Sequence, residues 1–235
     1  MLVSFVLLFL GLNIETSRAQ VSNLAGFDEE MLHYGIQIGY AGSKFDVRYT
    51  QNDSILGQLN NSNSYNTAGF HIAVIGDLRL GRFFSLRALP GVSLLSRQMT
   101  YTWDPAYLAA HPIADPKRTV ESVYGDLPIE LKYKAMRWNN FRPYVTGGAS
   151  YGFDFASLRK NKNNNDEAII RLSPSDLRYT LGVGSDFFLS YVKFAIEFKM
   201  NFGLLNLKVP DDDIYTLATD KMRSRTYLIC FTFEG

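Results

Sequence analysis

Cysteine is almost absent from this 235-residue chain: Cys230 stands alone, so no internal disulfide can form. Histidine is scarce, at three residues. An excess of one charge is also missing. With 24 Lys and Arg against 23 Asp and Glu, the net charge is +1, which creates no field that would gather nucleic acid. Beyond residues 2–12 there is no apolar run long enough for a membrane-spanning helix, and the mean hydropathy is −0.08. These absences exclude a disulfide-stapled scaffold, a strongly basic nucleic-acid binder and a helical membrane protein.

Aromatics, in contrast, are plentiful. The 14 Tyr and 17 Phe together outnumber the 24 Lys and Arg, which suits an all-β protein with aromatic belts. Residues 2–12 form an apolar run broken only by Ser4 and Gly11. Ser17-Arg18-Ala19 then places small residues at the spacing a signal peptidase accepts, just before Gln20. The chain therefore divides into a signal peptide (1–19), a short periplasmic N-terminal segment (20–32) and one large β domain (33–235).

Two surfaces alternate along residues 191–204. Val192, Phe194, Ile196, Phe198, Met200, Phe202 and Leu204 are apolar, while Lys193, Glu197, Lys199 and Asn201 lie between them. Successive strand side chains point to opposite faces, so one face is apolar and the other charged. Seven further segments repeat the pattern, among them Tyr34-Ile36-Ile38-Tyr40, Phe70-Ile72-Val74, Leu127-Ile129-Leu131-Tyr133 and Tyr227-Ile229-Phe231-Phe233. That makes eight strands, joined by alternating long and short connections. The long ones run over 50–65, 100–119, 157–174 and 206–224; the short ones over 80–82, 135–140 and 189–190.

Two barrels have this pattern. A soluble lipocalin-like barrel turns its apolar side chains inward around a ligand. An outer-membrane barrel turns them to lipid, with long extracellular loops and short periplasmic turns. The aromatic residues on nearly every strand favour the second: an eight-stranded antiparallel up-and-down transmembrane β-barrel in the outer membrane of a Gram-negative bacterium. Its lumen would then hold Asp77, Arg79, Arg87, Asp126, Glu130, Lys132, Asp154, Arg178, Asp186, Lys193, Glu197 and Lys199. Eight strands enclose just enough room for side chains to fill, so these charges are expected to form a plug of ion pairs rather than a pore. Pro90 and Pro128 fall within strands. They cannot donate to a ladder, and β-bulges are expected to accommodate them.

Signals for chemistry are weak. His71 falls within a strand with no nucleophile motif beside it, and His111 lies in a long connection. Asp211-Asp212-Asp213 lacks the alternating spacing of a Ca²⁺ loop and reads as a solvated tip. Gly147-Gly148 and Gly182-Val183-Gly184 lie within strands with no following helix, so the phosphate-binding fingerprint fails. No catalytic, cofactor-binding or metal residue is assigned. The expected partner is outer-membrane lipid, with no nucleic acid and the oligomeric state left open.

Several stretches resemble the PorT family of outer-membrane barrels. They are Tyr124-Gly125-Asp126-Leu127-Pro128-Ile129-Glu130-Leu131-Lys132-Tyr133-Lys134, then Asn139-Asn140-Phe141-Arg142-Pro143-Tyr144-Val145, and Gly182-Val183-Gly184-Ser185-Asp186-Phe187-Phe188. Glu197-Phe198-Lys199-Met200-Asn201-Phe202-Gly203-Leu204 and the closing Phe231-Thr232-Phe233-Glu234 extend the likeness over most of the mature chain. Ser190 stands where that family carries proline. The resemblance implies a non-enzymatic component of type IX protein secretion, whose machinery in some cases also serves gliding motility, with other secretion-system proteins as partners. The pattern itself leaves two other readings open. One is a general small barrel that anchors the envelope or binds ligands or adhesins through its loops. The other is a barrel enzyme active at the rim.

Overall fold

The computed structural model describes residues 23–49, 59–103, 109, 117–157, 172–209 and 219–235. Nine strand segments follow in order: β1 (Leu32–Tyr49), β2 (Leu59–Arg79), β3 (Phe84–Ala88), β4 (Gly91–Trp103), β5 (Lys117–Lys134), β6 (Phe141–Asp154), β7 (Ser175–Phe188), β8 (Lys193–Gly203) and β9 (Thr219–Glu234). All neighbours pair antiparallel. β1 pairs with both β2 and β9, so the sheet closes on itself. β3 and β4 are the two halves of one stave, both lying between β2 and β5, and the ring therefore has eight staves. Closure removes every sheet edge, as a spanning sheet requires.

The prolines are accommodated by a break and not by bulges. β3 ends at Ala88 and β4 begins at Gly91, while Pro128 sits opposite on β5. Leu89 N donates to Pro128 O at 3.0 Å, and Val74 N donates to Pro90 O at 2.9 Å. Each proline keeps its acceptor and forfeits only the donor it lacks. The pairing resumes in the same register beyond the break, with Ala88 opposite Gly76 and Gly91 opposite Ala73. β5 and β6 run in unbroken register through Pro128, which pairs with Ser150. Register shifts lie elsewhere, between Leu59 and Asn61 and between Asn66 and Phe70 on β2, and between Arg48 and Tyr49 on β1.

The alternation resolves into an inverted protein. Outward side chains are apolar and exposed, such as Val74 (57 %), Ile129 (51 %) and Val183 (56 %), while Arg87, Lys132, Asp186 and Glu197 are wholly buried. A lipocalin-like barrel would show the reverse. Aromatic contacts run around the outer wall near the short turns: Phe84 with Tyr133 (5.1 Å between ring centroids), Phe141 with Phe187 (5.4 Å) and Phe194 with Phe233 (5.2 Å).

Strands extend beyond the apolar band. β2 begins at Leu59, β4 reaches Trp103, β5 starts at Lys117 and β9 at Thr219, so three of the four long connections are shorter than the hydrophobic pattern implies, while the one between β6 and β7 is not. β8 starts at Lys193, two residues later than the alternation suggests, because Leu189 N bonds Val192 O at 3.1 Å and closes the turn there. Residues 1–19 and 20–22, His111, Arg159 to Lys162 and Asp211 to Asp213 lie outside the described residues. No helix among the described residues is long and apolar enough to cross a membrane; this chain crosses with strands.

Candidate functional site

The lumen is the most chemically concentrated part of the molecule. Strand alternation delivers one inward side chain every second residue from all eight staves. Some pairs are set by register alone. Arg142 faces Asp186 across β6 and β7, and Lys193 faces Glu234 across β8 and β9. Their contacts are 3.2 Å and 2.5 Å. Others reach past the neighbouring stave, the farthest to the opposite wall. Lys132 meets Asp186 at 2.8 Å, Lys199 meets Glu130 at 2.8 Å, and Arg87 meets Glu197 at 3.1 Å.

Glu197 is a hub. It also faces Lys199 at 3.5 Å and accepts hydrogen bonds from the Tyr144 hydroxyl and Thr146 Oγ1, each at 3.1 Å. Small residues make room for this convergence. A Cβ at Gly184 would lie 2.6 Å from the Tyr144 ring, and one at Gly182 would lie 2.5 Å from Thr146 Oγ1. The glycines that resemble a nucleotide loop in sequence therefore serve packing. The Lys132 ammonium sits 3.7 Å from the centroid of the Tyr144 ring, so the aromatic face shares in stabilising that cation.

A second network lies nearer the long loops. Arg178 pairs with Asp126, and its Nε lies 3.7 Å from Asp176. Arg97 donates to Ser43 Oγ at 2.8 Å and stacks between Phe45 (4.8 Å) and Tyr124 (5.2 Å). His71 Nδ1 is 2.8 Å from Ser93 Oγ, which in turn donates to Asp126. Serine, histidine and carboxylate thus stand together, but in the wrong order for nucleophilic catalysis. The serine proton is committed to the carboxylate, and among the described residues no carboxylate hydrogen-bonds the histidine to orient it as a base. The adjoining cavity is about 20 Å³, room for about one water.

Of the lumen residues read from sequence, Arg87, Glu130, Lys132, Asp186, Lys193, Glu197 and Lys199 belong to the first network, and Asp126 and Arg178 to the second. The remaining three stand apart. Asp77 is buried and feels the charges of Lys134 and Lys193 without a direct ion pair among the described residues. Asp154 accepts from the backbone N–H groups of Val123, Ala156 and Ser157, capping the single turn at 155–157. Arg79 is half-buried at the short-turn rim. Arg97, Arg142, Asp176 and Glu234 complete the networks and were not among those twelve. Arg142 and Asp176 already share the polar face of their strands by alternation, and carrying the pattern past Leu94 and Phe233 reaches Arg97 and Glu234.

The short-turn end is capped. Residues 23–31 fold across it, and Phe27 enters the mouth of the barrel, stacking on His33 at 3.9 Å and lying 4.6 Å from Lys193 Nζ. His33 Nε2 bonds the Phe27 carbonyl at 2.7 Å. Arg142 donates to Asp28 at 2.6 Å, and Arg137 donates to the Asn23 and Leu24 carbonyls while stacking on Phe188 at 3.6 Å. Burial alone would raise the Asp28 carboxyl, but the hydrogen bond and charge of Arg142, with Lys134 and Arg137 nearby, hold it below the usual carboxylate value.

A closed antiparallel ring, apolar outside and ionic inside, defines a small outer-membrane β-barrel. Its charged lumen is packed with paired side chains, and one end is stoppered by the chain's own N-terminal segment. The chain belongs to the outer membrane protein beta-barrel domain family, whose model matches residues 18–209. No curated protein matches it in sequence. Similar solved structures include the outer membrane protein OprG of Pseudomonas aeruginosa, with 14 % identity, 88 % of this chain and 97 % of that one covered, and a TM-score of 0.49. Another is the attachment invasion locus protein Ail of Yersinia pestis in complex with the heparin analogue sucrose octasulfate, at 12 % identity, coverage of 88 % and 100 %, and a TM-score of 0.40. Neisserial surface protein A is similar at 9 % identity, with coverage of 86 % and 98 % and a TM-score of 0.42.

Proposed function

We propose that this barrel is a non-catalytic accessory or structural component of protein export, of the PorT type within type IX secretion, reached through a signal peptide cleaved after Ala19. The observation that carries the mechanical part of this reading is the occupied lumen. With Arg87 bonded to Glu197 across its width and Phe27 seated in one mouth, the barrel offers its rim and loops, not a conduit, to other proteins. The secretion assignment rests on the PorT-like stretches from Tyr124 to Val145 and from Gly182 to Leu204.

A deletion strain tests it. Secreted cargo is expected to vanish from the medium and accumulate in the periplasm; normal secretion contradicts the assignment. N-terminal sequencing of the mature protein, expected to begin at Gln20, tests the cleavage. The second reading is a general envelope barrel that anchors or binds through its loops, favoured by the breadth of the family match. It predicts normal secretion with a weakened envelope.

A further inference from the structure

The short-turn rim carries a basic pocket that neither the lumen network nor the cap uses up. It is a cavity of about 240 Å³ between the turn at 80–83, the turn at 135–140 and the N-terminal segment. Five cationic side chains line it, Arg79, Arg82, Lys134, Arg137 and Arg142, against one carboxylate, Asp28. Two of the five are committed elsewhere. Arg142 is held between Asp28 and Asp186, and Arg137 spends its guanidinium on backbone carbonyls and on Asp28 at 3.8 Å. Arg79, Arg82 and Lys134 make no hydrogen bond or ion pair with a side chain among the described residues. Lys134 is only 7 % exposed.

Lys134 lacks a direct ion pair among the described residues: only the longer-range charges of Asp77 and Asp28 reach it, while burial and the neighbouring Arg142 oppose its charge, so an anion in the cavity would stabilise it. Three cations without a direct ion pair, around a cavity several water volumes across, form a receptor for a compact, multiply acceptor-bearing anion, and phosphate fits that chemistry. The surroundings indicate what carries the phosphate. Phe83 and Met136 line the pocket, and the Phe83 ring lies 6.5 Å from that of Tyr133, which faces outward beside Phe84. Leu80 (57 %), Met136 (67 %) and Trp138 (79 %) are exposed on the same rim. Aromatic side chains of this kind mark the boundary between headgroups and hydrocarbon. Short turns face the periplasm in outer-membrane barrels, which puts the pocket level with the inner-leaflet headgroups.

We propose that this pocket binds the headgroup phosphate of an anionic inner-leaflet phospholipid, with Arg79, Arg82 and Lys134 as its ligands. The site clamps the short-turn rim to the membrane at one side of the barrel.

Native mass spectrometry of the full mature barrel, released from micelles containing phosphatidylglycerol or phosphatidylcholine, tests this. Wild type is expected to retain phosphatidylglycerol preferentially. Arg82→Gln, on an exposed turn, and the triple variant Arg79→Gln, Arg82→Gln, Lys134→Gln are expected to retain about tenfold less, the effect of losing charge-assisted contacts. A charge-matched control at the other end, Arg48→Gln, Lys221→Gln, Arg223→Gln, is expected to behave as wild type. If the triple variant fails to fold, the single Arg82→Gln decides. Equal retention of both lipids, or no loss in Arg82→Gln, overturns the proposal. Two competitors separate the sources. Inorganic pyrophosphate binding wild type with no lipid preference would assign the site to a soluble phosphate and overturn the lipid. Hexaglutamate displacing the lipid at lower concentration than pyrophosphate would assign it to an acidic protein segment and overturn the phosphate.

Discussion

Arg87 on β3 and Glu197 on β8 meet at 3.1 Å although three staves separate them in either direction around the ring, so their bond spans the lumen. Glu197 also serves Lys199, Tyr144 and Thr146. Glu197→Ala is therefore expected to leave two buried cations underpaired and to destabilise the barrel by about 3–5 kcal/mol. The double variant Arg87→Met, Glu197→Leu, which removes both charges of the bond, is expected to lose less than the single one. Urea unfolding in lipid vesicles, followed by the mobility difference between unboiled and boiled samples, reads both.

The outer wall responds in the opposite sense. Phe198 lies midway along β8 with its ring outward and 43 % exposed. Phe198→Arg is expected to cost about 2–4 kcal/mol in the same assay, and Phe198→Leu far less, because a charge at the bilayer midplane is penalised and an apolar exchange is not. In a soluble protein, arginine at so exposed a position would be nearly silent.

Most of the wall was legible in the sequence. The dyad alternation from Tyr34 to Tyr40 and from Val192 to Phe202 fixes which side chains share a face, since a strand's period is two whatever surrounds it. Lys193, Glu197 and Lys199 could be set on one face before any contact was known. What alternation does not contain is stagger. It says that Glu197 faces inward, not that it meets Arg87 from the opposite wall, because that depends on strand tilt and shear. The break at Leu89–Pro90 was hidden for a related reason: two prolines far apart in sequence become neighbours only when β3, β4 and β5 are in register. The cap was invisible as well. Phe27 and Asp28 sit in a short turn-rich segment with no periodicity, and their partners Phe188 and Arg142 lie more than a hundred residues away.

Adjacent glycines on β6 make a matched pair. A Cβ on Gly148 would stand 2.1 Å from the Ile129 carbonyl oxygen and 2.7 Å from Glu130 Cα, both backbone atoms that cannot swing aside. One on Gly147 would touch only the Leu181 side chain at 3.7 Å. Gly148→Ala is expected to force β5 and β6 apart, costing about 1–3 kcal/mol or more. Gly147→Ala is expected to be neutral or slightly stabilising. The yield of heat-modifiable barrel after refolding measures the contrast.

Acid should release the cap. The Asp28 carboxyl is held below its unfolded value, so its contribution to docking is complete above that value and fades as pH falls through the lowered one. A fluorophore at Asn23 is expected to gain mobility only below the usual carboxylate range. In Asp28→Asn it is expected to be mobile at neutral pH and insensitive to acid.

The central claim is which face of the strands meets lipid, and one measurement addresses it directly. With Cys230 replaced by serine, single cysteines at Phe231 and Thr232, neighbours on β9, are labelled with an environment-sensitive fluorophore and reconstituted in vesicles containing brominated lipid. The account predicts strong quenching at Phe231, whose side chain points outward, and almost none at Thr232, which is buried in the lumen. Quenching at Thr232 but not at Phe231, or at neither, would contradict it.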